Sequence, residues 1–154
     1  MFKNILVPFD YSEPAKRAIA AALEMADPGA VITLLEAANS PWIEDPTTAV
    51  AERMAGVVIS DTERAAAVSH YWENMAARLE KVAADAQESA DQDVTFKSKV
   101  MSGSPASIIV QYAKDNEADL IVMGRRGLSG VRELLGSVSH KVTRDANLPI
   151  LLVK

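Results

Sequence analysis

The chain has no cysteine, which excludes disulfides and thiolate metal sites. Its two histidines, His70 and His140, are not clustered with carboxylates at metal-ligand spacing, and no Ser/His/Asp set stands out. Basic residues are outnumbered, leaving a net charge of −5, so the basic face of a general nucleic-acid binder is not expected. Long hydrophobic runs are also missing. The N-terminus is apolar only over Ile5-Leu6-Val7 before Pro8, too short for a signal-peptide core, and no run reaches membrane-span length. The expectation is a cytoplasmic protein with no membrane and no nucleic-acid partner. Glycine is scarce too, but four of the seven glycines (Gly124, Gly127, Gly130, Gly136) fall within thirteen residues.

What is present suits a single domain over residues 1–154: the length is that of one core, and 49% of the residues are apolar. Ile5-Leu6-Val7-Pro8 reads as a buried strand that proline closes. Ser12 is placed to cap a helix with Pro14 in its first turn, and Asp27-Pro28-Gly29 ends that helix. Val31 to Leu35 is a second strand. Pro41 and Pro46 interrupt the next stretch, where a short helix from about Thr47 to Ala55 is expected. Ser60-Asp61-Thr62-Glu63 has capping-box spacing, and Val68, Trp72, Met75, Leu79, Val82 and Ala86 continue as one long helix from about Thr62 to Ser89. This stripe reads as core rather than as a cofactor contact. Val94, Phe96, Ser98 and Val100 alternate with Thr95, Lys97 and Lys99, a half-exposed strand suited to a sheet edge. Ser104 and Pro105 open a further helix. Asp119 to Met123 is a buried strand, a helix starts around Ser137, and Pro149 to Val153 is the last strand. Strands alternating with helices predict an α/β fold, a five-stranded parallel sheet with helices on both faces. In such open sheets ligands sit beyond the C-terminal strand ends, where the strand order reverses.

Two of those strand ends carry residues suited to a ligand. Gly124 and Gly127 open a turn after the fourth strand, and Gly136-Ser137 returns the chain at a helix N-terminus. Glycines let backbone N–H groups face an anion, and a helix N-terminus adds unpaired donors and partial positive charge. The same residues equally suit a tight connection with Ser137 as a helix cap. Asp10, leaving the first strand, suits ribose hydroxyls or a metal-bound water, and equally a turn aspartate bonded to its own backbone. Arg125 and Arg126 have phosphate-matching geometry or are simply solvated. The loop is no P-loop, since it lacks the Gly-Lys-Ser/Thr ending.

These segments together resemble the universal stress proteins of the UspA superfamily. The resemblance rests on Lys3 to Ser12, on Ala118 to Gly127, on Gly136-Ser137-Val138 and on Leu148 to Val153. It implies the adenine nucleotide α-hydrolase-like, Rossmann-like fold with strand order 3-2-1-4-5. The ATP-binding members have Gly, two residues, Gly, nine residues, then Gly-Ser/Thr; this chain has eight residues between Gly127 and Gly136. By position, the resemblance implies a cofactor site of Pro8, Phe9, Asp10, Ala37, Met123, Gly124, Arg126, Gly127, Gly136, Ser137 and Val138. Pro8 and Asp10 would lie against the adenosine, and the Ala37 backbone would face adenine. Met123 and Gly124 would pack on ribose and base. Gly127, Gly136, Ser137 and Val138 would hold the phosphates. ATP with Mg²⁺ is the implied cofactor, and a homodimer through Ile150 to Val153 the implied assembly.

The function expected is a nucleotide-responsive regulatory protein in stress adaptation, with at most slow hydrolysis or autophosphorylation, since no general base is placed for phosphoryl transfer. The alternative is an interaction module of the same fold that binds no nucleotide.

Overall fold

The computed structural model describes residues 1–39, 54–56, 59–126 and 136–154. Its elements are β1 (Phe2–Pro8), α1 (Glu13–Met25), β2 (Ala26–Ala38), α2 (Asp61–Ser89), β3 (Val94–Ser102), α3 (Pro105–Asp115), β4 (Leu120–Gly124), α4 (Ser137–Asp145) and β5 (Ile150–Val153). All strand pairs are parallel and the sheet runs β3-β2-β1-β4-β5. This is the expected 3-2-1-4-5 order. The central strands are apolar on both faces because both faces are covered. Ile5, Val7, Leu34 and Val122 pack with Leu79 of α2 and the alanines of α1. Leu6, Leu35, Ile121 and Met123 pack with α3 and with Val142 of α4.

The helix starts reflect the side chains present. Ser12 caps α1, its Oγ accepting from the Ala15 amide at 3.3 Å, with Pro14 in the first turn. Ser60 and Glu63 form the reciprocal capping box of α2. Ser104 occupies the N-cap of α3 without a side-chain cap bond. Asp27-Pro28-Gly29 does stop the first helix, but no loop intervenes. β2 begins at once at Ala26, and the three residues form an irregularity where the β1–β2 register jumps between Phe2↔Ala26 and Asn4↔Val31. Gly29 takes φ 76° there and donates to the Asp93 carbonyl at 2.6 Å. β3 runs on past Val100 to Ser102 because it pairs with β2 continuously from Ala30↔Val94 to Ala38↔Ser102. It is an edge strand, with Lys97 and Lys99 exposed. The short helix expected from Thr47 lies almost wholly outside the described residues.

One tie was not visible in the sequence. The Asp119 carboxylate accepts from the amides of Lys3 (2.7 Å) and Asn4 (3.0 Å), and its own amide donates to the Asn4 carbonyl. These contacts fix the start of β4 against the start of β1. Beyond them, β1 and β4 pair only at Ile5↔Leu120 and Leu6↔Ile121. Among the described residues, no helix is long and apolar enough to cross a membrane.

Candidate nucleotide site at the β1–β4 switch point

The strand order reverses between β1 and β4, and here the two strands part. β1 keeps pairing with β2 as far as Pro8↔Leu35, and β4 with β5 as far as Gly124↔Val153, while the β1–β4 ladder stops at Leu6↔Ile121. The C-terminal ends of β1 and β4 thus flank the switch point, which is the ligand position of open α/β sheets.

On the β1 side, Pro8 is half-buried and Phe9 is core, its amide bonded to the Leu35 carbonyl at 2.9 Å. Asp10 is half-buried, and its Oδ1 accepts from the Ser12 amide (3.1 Å) and hydroxyl (2.5 Å). Asp10 thus makes the local turn bonds that its position allowed. On the β4 side, the Met123 side chain is buried among α3 and α4 residues, and Gly124 abuts the first turn of α1. Ala37 extends past the end of the β1–β2 ladder, half-buried and paired with Met101.

The start of α4 is drawn to β4 through Arg125. The Arg125 carbonyl accepts from the Gly136 amide at 3.0 Å and from the Ser139 hydroxyl at 2.8 Å, and the Arg125 amide donates to the Val153 carbonyl. Gly136, not Ser137, is the N-cap; Ser137 is the first helical residue, with its side chain exposed. The Gly136 N–H is committed to Arg125, so among the described residues the N–H groups of the first helical turn, including those of Ser137 and Val138, are the donors left for an anion. Gly127 lies outside the described residues. A small basic groove of about 170 Å³ lies alongside, lined by Pro14, Arg17, Arg125, Arg126, Val153 and Lys154. No grouping of three His, Cys, Asp or Glu fit for a metal occurs among the described residues.

Sequence reasoning missed three residues beside this site. Tyr11 comes directly after Asp10 in the left-handed region (φ 63°) and donates its hydroxyl to Glu36 Oε2 at 3.0 Å. Arg78 of α2 donates to Glu36 Oε1 at 3.0 Å and lays its guanidinium 3.9 Å from the Tyr11 ring centroid. A signal existed: Glu36 is the one charge in the apolar run Val31 to Ala37, and it is buried, with 8% of its surface exposed. Burial first, and then the bond to Glu36, raise the Tyr11 phenol pKa above its ordinary value. The folded state therefore holds this proton more tightly than the unfolded chain does. The resulting stabilisation is complete below about pH 10 and is lost as pH rises through the folded-state pKa. Urea unfolding from pH 8 to 11 should show a steeper alkaline loss of stability for the native chain than for Tyr11→Phe. Equal slopes would refute the coupling.

An open parallel sheet of order 3-2-1-4-5 with helices on both faces is the adenine nucleotide α-hydrolase-like fold. The universal stress protein family profile matches residues 1–154, and the chain belongs to that family. It is 36% identical over 160 residues to a universal stress protein from Thermus aquaticus, with all of both chains covered. The solved structure of the hypothetical protein MJ0577 superposes with a TM-score of 0.76 at 26% identity, covering 100% of this chain and 96% of that one. A universal stress protein in complex with cAMP (TM-score 0.62, 23% identity, covering 99% and 97%) and an Arabidopsis thaliana family member with AMP bound (0.54, 21%, covering 99% and 91%) share the fold.

Proposed function

We propose that this chain binds ATP in the β1–β4 crevice and acts as a nucleotide-responsive regulatory protein in stress adaptation. The observation that carries the reading is the parting of β1 and β4 after Leu6 and Ile121. It leaves Asp10 at one strand end, and Gly124 with the open first turn of α4 at the other. Asp10, with Oδ1 held by Ser12, is placed to accept from ribose hydroxyls through its other oxygen. The backbone of Pro8, Ala37, Met123 and Gly124 would receive the adenosine, and the N–H groups of Ser137 and Val138 the phosphates. Gly127 belongs to this assignment on the family pattern. Arg126, lining the basic groove with Arg17 and Arg125, adds positive charge suited to a polyphosphate. Mg²⁺ would ride on the triphosphate, which needs few protein carboxylates because the ion keeps most of its waters. That two proteins of this fold are seen with AMP and cAMP supports an adenine nucleotide here. Binding, not rapid turnover, is the activity proposed, exercised in the cytoplasm by a homodimer joined along Ile150–Val153. β5 is a sheet edge whose residues are all partly exposed, which suits pairing with a second copy.

Calorimetry with ATP, AMP and cAMP tests the reading. ATP is expected to bind most tightly, since each added phosphate gains from the α4 N-terminus and the arginines. No heat and no thermal stabilisation at millimolar ATP would remove the proposal. Sedimentation of the purified chain tests the dimer.

One observation favours the second reading, an interaction module without nucleotide. The Gly136 amide, which the family resemblance would give to the phosphates, is bonded to Arg125, and the loop before it is one residue shorter than the ATP-binding pattern. Under that reading residues 38–89 form the partner surface. Mass spectrometry of the protein as purified separates the two, with co-purified ATP supporting the first.

A further inference from the structure

We infer that Glu36 and Arg78 are positioning residues for the candidate site: acting through Tyr11, they hold the β1–α1 turn in the conformation that presents Asp10. The inference rests on the proposed nucleotide reading for its consequence, but its geometry stands on contacts already present.

The turn is strained. Tyr11 is a bulky residue with φ 63°, a region that side chains other than Gly, Asn and Asp seldom occupy. Such a backbone persists only where surrounding contacts over-determine it, and such residues cluster at functional sites. Three contacts hold the Tyr11 ring. Phe9 meets it edge-on at 4.9 Å between centroids and 72° between planes. Arg78 covers it at 3.9 Å, and Glu36 takes its hydroxyl. Glu36 in turn bonds Arg78 with its other oxygen, so its carboxylate bridges the two.

Asp10 is the neighbour that this arrangement aims. With Tyr11 in the left-handed region, the chain turns sharply enough for both the amide and the hydroxyl of Ser12 to reach back to Asp10 Oδ1. The same Ser12 hydroxyl accepts from Ala15, so the start of α1 joins the network. An extended Tyr11 would break this hydrogen-bonded turn and swing the carboxylate away. Glu36 lies immediately before Ala37 on β2 and so ties the two adenosine-side segments together, while Arg78 links both to the long helix α2. Arg78 is distant from Asp10 in sequence, and its side chain is 58% exposed, so its removal opens no cavity in the core. That exposure separates a positioning role from a general contribution to stability.

The test uses the full chain and three substitutions: Arg78→Ala, Glu36→Gln and Asp10→Ala. Backbone amide resonances are recorded without ligand, and ATP affinity is measured with each variant and with Asp10→Ala/Arg78→Ala. Arg78→Ala and Glu36→Gln should shift the amides of Asp10, Tyr11 and Ser12. They should also weaken ATP binding by roughly three- to tenfold, the range of one modest hydrogen-bond contribution. The Arg78 and Asp10 losses should be non-additive, the double variant binding little worse than Asp10→Ala alone, because one acts through the other. A residue that served stability alone would leave the affinity of the folded protein unchanged, and one that met the nucleotide independently of Asp10 would give losses that multiply. Unmoved turn amides, or multiplying losses, overturn the inference. If the native chain binds no ATP at all, the nucleotide reading falls, and the amide shifts alone judge whether Glu36 and Arg78 hold the turn.

Discussion

Leu79→Ala is expected to destabilise the protein by about 2–5 kcal/mol, the range for truncating a fully buried leucine. α2 spans Asp61–Ser89, yet only Met75, Leu79 and Ala83 are buried on it, and Leu79 alone is completely enclosed. Its side chain sits in the cluster with Ile32 and Leu34 of β2 and the alanines of α1. Shortening it removes the main apolar contact of a helix that is otherwise mostly exposed, so neighbours have little to collapse with. Val68→Ala, higher on the helix and only half-buried, should cost far less. Chemical denaturation of both variants checks this, and similar losses would mean that the helix is anchored elsewhere. Because Arg78 precedes Leu79, the cavity variant should also disturb the Tyr11 ring contact, visible as increased mobility of the Tyr11 ring resonances.

The second large effect is expected at Gly124. A Cβ there would lie 2.8 Å from Pro14 Cβ, 3.0 Å from the Arg126 carbonyl oxygen and 3.2 Å from the Pro14 carbonyl carbon. None of these is the loose end of a flexible side chain, so β4 and α1 must move apart. Gly124→Ala should cost about 1–3 kcal/mol, as overpacking does, and Gly124→Val more. Gly136 is the internal control. Among the described residues a Cβ there meets nothing closer than 3.4 Å, and Gly136 has φ −61°, which any residue adopts. Gly136→Ala should therefore cost no more than about 1 kcal/mol, the scale of a weaker N-cap. If thermal or urea unfolding ranks the two alanine variants the other way, the close approach of β4 to α1 is wrong.

These sites show how far the sequence can be read. The strands were legible because buried parallel strands are short apolar runs. α2 was legible because its capping box and its apolar spacing are local. The strand ends were legible as the place to look for a site because alternating strands and helices put all C-terminal ends on one edge of the sheet, and the family resemblance supplied the order. What stayed hidden depends on distant partners. Gly136 reads as a phosphate donor until its amide is seen bonded to Arg125. Tyr11 reads as an ordinary loop residue, since nothing local announces φ 63° held by Glu36 and Arg78. Asp27-Pro28-Gly29 reads as the end of α1, which it is. That β2 begins already at Ala26, with no loop between, depends on pairing with Phe2 of β1, and the Gly29 amide is taken up by the Asp93 carbonyl far along the chain.

The Asp119 clamp has a consequence for how the chain comes together during synthesis. β1 can pair with β2 as soon as β2 has emerged, but its other edge, including the Lys3 and Asn4 amides, meets Asp119 only after α2, β3 and α3 have been made. One edge of the central strand therefore stays open while α2, β3 and α3 are made, and β4 with β5 docks only after β1 and β2 can pair. The proposed ligand crevice runs along that closing seam. A nucleotide bound there would bridge an earlier-made and a later-made part of the sheet, and so favour the chain with β4 and β5 docked over one in which they are not.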